Sequence, residues 1–125
     1  MGYNKLNSFG DKMKIAITSN GKDLSSEISA DFSSADYFLL IDTSYLGNFV
    51  PIKNHHKNQI NDAEIFGALL IISYDVTTVL TGYCSQNALR IFQKAGIKVV
   101  GEAHGSIESN IQKLTEDKIQ IDKKN

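Results

Sequence analysis

Apolar positions along the chain fall into short blocks separated by turn residues, and the blocks alternate between strand and helix character. Lys14-Ile15-Ala16-Ile17-Thr18 is a brief apolar run that predicts a strand. Tyr37-Phe38-Leu39-Leu40-Ile41-Asp42, rich in aromatic and aliphatic residues, predicts a second. Leu46-Gly47-Asn48 then turns the chain into Phe49-Val50-Pro51-Ile52-Lys53. Pro51 has no N–H for a ladder, so this third strand is expected at a sheet edge, antiparallel to its neighbour. Asn61-Asp62-Ala63-Glu64 reads as a capping box, with Asn61 as the cap and Glu64 reaching back. Ile65, Ala68, Leu69 and Ile72 follow at helical spacing, while Phe66, Leu70 and Ile71 make the run apolar on nearly all sides. Periodicity alone therefore leaves a buried strand open; the cap and the length select a helix ending near Ser73-Tyr74-Asp75.

The second half repeats a strand-to-helix pattern. Val76 to Leu80 is a β-branched strand, Gly82 marks a turn, and Ser85 is a good helix cap. Ala88, Ile91, Phe92 and Ala95 fall on one helix face, and Gly96 is placed to stop that helix. Ile97-Lys98-Val99-Val100 predicts another strand, Gly101 to Gly105 another corner, and Ser106 caps a helix carrying Ile107, Ile111 and Leu114. The order is β-β-β-α-β-α-β-α: an α/β protein with a mixed five-stranded sheet and helices packed on its faces. Right-handed crossovers should bring the corners 81–85 and 101–106 to one end of that sheet. One domain over 13–118 is expected, with a flexible extension at 1–12 and a polar tail at 119–125. The long Gly/Ser/Asp-rich connection from Ser19 to Ala35 carries Leu24, Ile28 and Phe32 every four residues. Those residues should tether it to the core, which marks a binding loop and not a loose one.

Composition narrows the function more than the fold. The chain has 125 residues, 42% hydrophobic and 22% charged, with a formal net charge of -1. That is enough chain for a core without disulfides or metal staples. It supplies no global field for nucleic acid or anionic lipid. A single cysteine, no secretory-type opening and no apolar run near the roughly 18–20 residues of a membrane span point to a cytoplasmic protein in a reducing compartment.

Candidate chemistry gathers at the two corners. The first turn of each helix presents unpaired N–H groups and a partial positive end, and Gly82 and Gly105 let backbone approach a ligand closely. Two such ends would suit a multiply charged anion. Cys84, just before the cap Ser85, is either a small buried hydrophobe or a thiol whose thiolate the helix end stabilises, making it a nucleophile or soft-metal ligand. His104 is either a surface loop histidine or a partner for Cys84 in a partial ligand set, since two residues are too few for a closed zinc site. His55-His56 is a poor chelating spacing and reads as solvated loop. No phosphate-loop motif is present, no third residue stands out to orient a Cys/His hydrolase, and the first strand lacks the acidic residues of a nuclease.

Several of these pieces, in this order, resemble the dinitrogenase iron–molybdenum cofactor-binding family, which includes the molybdenum–copper "orange" proteins. They are Met13-Lys14-Ile15-Ala16-Ile17, Gly21-Lys22-Asp23-Leu24-Ser25-Ser26-Glu27-Ile28, Tyr37 to Asp42, Gly82-Tyr83-Cys84-Ser85-Gln86-Asn87-Ala88, Ala95-Gly96-Ile97-Lys98-Val99 and Gly105-Ser106-Ile107. The resemblance implies a ribonuclease H-like fold without nuclease chemistry and a non-catalytic role in binding or carrying an anionic metal–sulfur cluster, of iron–molybdenum or molybdenum–copper type. It implies a cluster donor or acceptor protein as partner, and a site built from Gly82, Tyr83, Cys84, Ser85, Asn87, His104, Gly105 and Ser106. Cys84 and His104 would be the metal ligands. Where the family's first loop reads close to His-Phe-Gly-Arg-Ala, this chain has Asp31-Phe32-Ser33-Ser34-Ala35; its Gly-Ala-Gly helix start is here Asp62-Ala63-Glu64, and its proline after Cys-Gly or Cys-Ser is Gln86. The exchanges remove a possible ligand and a fixed positive charge and add negative ones. The alternative they raise is a protein-interaction or regulatory module of the same fold that has lost its cluster.

Overall fold

Five strands form one sheet in the order β3-β2-β1-β4-β5. The computed structural model describes residues 14–42, 48–57 and 62–114, so the expected extension at 1–12, most of the turn before β3 and the tail at 119–125 lie outside the described residues. The strands are β1 (Lys14–Ser19), β2 (Tyr37–Asp42), β3 (Phe49–Lys53), β4 (Thr78–Leu80) and β5 (Lys98–Val100). β1 pairs antiparallel with β2, and β2 with β3. On its other side β1 pairs parallel with β4, and β4 with β5. This is the mixed five-stranded sheet that the sequence predicts. Pro51 sits on the edge strand, where its missing donor breaks no ladder.

β1 is buried along almost its whole length because it lies at the centre of the sheet with both faces covered. Its alternation sorts the core in two. Ala16 faces a cluster with Phe32, Phe38, Ala68, Ile71, Val79 and Phe92. Ile15 and Ile17 face the opposite cluster with Ile28, Leu39, Leu80, Ile107 and Ile111. Helices α1 (Ala63–Ile72) and α2 (Gln86–Lys94) bury residues in the first cluster. Helix α3, described over 107–114, covers the second.

Local chemistry sets the helix ends. Ser85 Oγ accepts from Ala88 N–H at 3.2 Å, and Gly96 takes φ +76° just past the end of α2. Ala95, expected on the buried face, is the exposed C-cap instead. Ser106 Oγ accepts from Ser109 N–H at 3.1 Å in the first turn of α3. The capping box of α1 is corrected: the cap is Asp62, which makes no side-chain cap bond, and Asn61 lies outside the described residues. Glu64 sits in the first turn, where its charge meets the positive helix end.

The 19–35 connection is ordered by its own apolar residues, as its spacing implies. Ile28 and Phe32 are buried and Leu24 packs against the second cluster. Phe32 opens a short 3-10 turn, Phe32–Ser34, and its ring stacks on Phe38 and meets Phe92 edge-on, with centroids at 5.7 and 5.5 Å. Phe32→Ala should therefore cost about 3–5 kcal/mol of unfolding free energy, read as a fall in urea midpoint at unchanged slope.

Candidate functional site

The two corners following β4 and β5 meet at one end of the sheet, as predicted, and are bonded to each other. Thr81 N–H donates to Val100 O at 3.0 Å, Glu102 N–H to Gly82 O at 3.0 Å and Ala103 N–H to Thr81 O at 2.9 Å. Behind them the buried hydroxyls of Thr18 and Thr81 bond at 2.8 Å, tying the first corner to β1.

The 19–35 loop crosses both corners and takes up donors expected to face a ligand. Gly82 N–H donates to Ser29 O at 3.2 Å, Tyr83 N–H to Ala30 O at 2.8 Å, and Phe32 N–H to Tyr83 O at 2.8 Å. At the second corner Ile28 N–H donates to Gly105 O and Ile107 N–H to Ser26 O, both at 2.9 Å. Gly82 is thus explained differently from its sequence reading. A Cβ there would sit 2.4 Å from Ala30 O and 2.6 Å from Ser29 O, so its missing side chain admits this chain's own loop. Gly105 answers a backbone need, with φ at +94°. The amides of Cys84, Ser85, Gln86 and Asn87 have no protein acceptor among the described residues, so the first turn of α2 remains an open donor set.

Cys84 is half-buried beside this open turn and packs against the cluster that holds Phe32, Ala68 and Phe92. Tyr83 just before it is 62% exposed on a backbone bonded at both its N–H and C=O. Burial first, then the carboxylates of Glu64 and Asp31, push the Cys84 thiol up from 9.0 to about 11. That shift runs opposite to a thiolate stabilised by the helix end, because desolvation and the two negative charges all disfavour the charged form. Asp31 is held close by a parallel bridge to Tyr83, and its Oδ1 accepts from Ser33 N–H and Oγ, each at 3.1 Å.

His104 stands apart from this thiol. It is exposed, its carbonyl accepts from Asn110 Nδ2 at 2.8 Å, and it lines a groove of about 370 Å³ with Glu102, Ser109, Asn110 and Lys113. That groove lies along α3, whereas Cys84 packs toward α1 and α2. Among the described residues no three His, Cys, Asp or Glu side chains are grouped to hold a metal ion. Ser85 and Ser106 are helix caps, and Asn87 is exposed in the first turn of α2. His55 is exposed as expected, but His56 is half-buried and stacks on Phe66 at 5.4 Å.

The sequence profile described as "Dinitrogenase iron-molybdenum cofactor" matches residues 13–117. The chain belongs to this family. Among solved structures it is similar to the apo form of the orange protein from Desulfovibrio gigas, with a TM-score of 0.80 and 24% identity over 86% of this chain and 91% of that one. It is also similar to a putative NifB protein from Thermotoga, with a TM-score of 0.71 and 29% identity over 83% of this chain and 88% of that one. The orange-protein likeness speaks to fold alone. No curated protein sequence matches the chain. Among the described residues no helix is long and apolar enough to cross a membrane.

Within the family frame, the unexpected members of the site are Asp31 and Glu64. Both stand where the family's usual loop and helix start differ from this chain, yet no spacing rule places them beside Cys84. Only the packing of α1 and the 3-10 turn does so.

Two outcomes follow. Gly82→Ala should cost about 1–3 kcal/mol, because the loop carbonyls must move, measured by urea unfolding. Cys84 should react with iodoacetamide at pH 7 about ten- to a hundredfold slower than an unperturbed thiol, with a rate still climbing at pH 10, since its thiolate is scarce until the pH approaches 11.

Proposed function

We propose that the chain is a non-catalytic binding or carrier protein in metal–sulfur cofactor chemistry, with its cargo attached at the Cys84 corner. One observation carries the reading: the chain's only thiol stands half-buried beside the amides of Cys84 to Asn87, which have no protein acceptor among the described residues. A soft sulfur ligand can bond a thiophilic metal, and N–H groups at a helix start can meet sulfide or another anionic ligand of that metal. Family membership over residues 13–117 supports the same assignment. The high thiol pKa favours it over nucleophilic catalysis, because a protonated thiol is a poor nucleophile at neutral pH. Metal binding displaces that proton, so uptake strengthens as pH rises.

A second reading is an interaction module that carries no cargo. It is supported by Phe66, Leu69 and Tyr83, which are 42%, 51% and 62% exposed. The two readings separate in anaerobic titrations of the wild type and Cys84→Ser with copper(I) alone and with copper(I) plus tetrathiomolybdate. Elemental analysis and visible absorption follow uptake. The carrier reading expects stoichiometric metal uptake by the wild type and at least a tenfold loss of affinity in Cys84→Ser. Equal uptake by both proteins overturns it. A partner protein captured equally by both, with no metal in either, establishes the interaction module.

A further inference from the structure

A carrier reading borrowed from the family implies a cargo rich in sulfide and negative charge, and the corner does not fit such a cargo. The thiol and the four open amides suit it. The remaining features oppose it. The Gly82, Tyr83 and Ile107 amides, which would have widened the anion-binding surface, are taken by Ser29, Ala30 and Ser26 carbonyls. Asp31 is fixed against this corner by its bridge to Tyr83 and by the two Ser33 bonds to its carboxylate. Glu64 lies in the first turn of α1, one turn before Ala68 in the cluster that Cys84 packs against, and both carboxylates act on the thiol electrostatically. Among the described residues neither carboxylate has an ion-pair partner; the one pair there joins Lys57 and Asp36. Both carboxylates are only partly buried, so they repel an incoming anion at short range and that repulsion weakens as salt is added.

We infer that Asp31 and Glu64 are specificity-determining residues that bar polyanionic metal–sulfur clusters from the Cys84 corner and leave it to a thiophilic metal arriving as a cation or a low-charge complex. The inference rests on the carrier reading for its cargo, but the charge barrier itself can be measured without any metal. Asp31→Asn/Glu64→Gln removes both charges with little change of shape, and Asn can still cap the 3-10 turn through its side-chain oxygen.

Cys84 is alkylated in parallel with neutral iodoacetamide and anionic iodoacetate, and the ratio of the two rates cancels the thiolate fraction. The double variant should raise the iodoacetate-to-iodoacetamide ratio at least fivefold over wild type, and raising salt from about 0.05 to 0.5 M should raise the wild-type ratio more than the variant's. In titrations, the copper–tetrathiomolybdate cluster should bind the double variant at least tenfold more tightly than wild type, while copper(I) alone gains nothing. A ratio unchanged by the substitutions overturns the inference, whatever metal the protein binds. Equal cluster affinity in wild type and double variant also overturns it. A ratio that responds while no metal species binds either protein upholds the barrier and rejects the carrier reading.

Discussion

The working end of this molecule depends on the close approach of one loop to the turn after β4. Ser29 and Ala30 carbonyls lie where any side chain at residue 82 would be, and they accept from Gly82 and Tyr83 N–H. A carbonyl brought that near a backbone needs a glycine opposite, and it secures a pair of hydrogen bonds in return. The rest follows by connection. Phe32, two residues on from Ala30, enters the core between Phe38 and Phe92, and Ile28 on the other side bonds Gly105 at the second corner. Loop, corners and core are thus one bonded unit, with the buried Thr18–Thr81 bond anchoring it to the central strand.

The same approach decides which groups remain free for a ligand. Here the loop takes up the amides of Gly82 and Tyr83 at the first corner and of Ile107 and Glu108 at the second. Among the described residues, amides remain open in the first turn of α2, next to the chain's only thiol. The bridge to Tyr83 holds Asp31 at this corner, and Glu64 in the first turn of α1 adds its charge to that felt by Cys84. The thiol is therefore held protonated by its surroundings, at a position where helix geometry alone would favour the thiolate. A site that resists losing its proton is suited to holding a metal under conditions that displace it, and poorly suited to attacking a substrate.

Most of the fold was legible in the chain itself. The five strands and three helices come where short apolar blocks, Pro51, Ser85, Gly96 and Ser106 place them, since each depends on local geometry: a missing donor, a cap, a positive φ. The site was legible only in outline. Cys84 and the two corners could be picked out, but the fate of each amide could not, because a hydrogen-bond partner about fifty or eighty residues away leaves no mark on local spacing. The capping box of α1 failed for a related reason. Its pattern was present, yet the helix is capped one residue later, at Asp62, whose side chain makes no cap bond.

The sequence by itself determined the order of elements, the two-faced central strand and the position of the single thiol, because alternation, capping and turn chemistry act over a few residues. Only the tertiary structure decided what surrounds that thiol. Electrostatic fields and desolvation depend on distances through space, and the packing of loop and helix brings the Asp31 and Glu64 carboxylates to act on Cys84 while placing His104 in another groove.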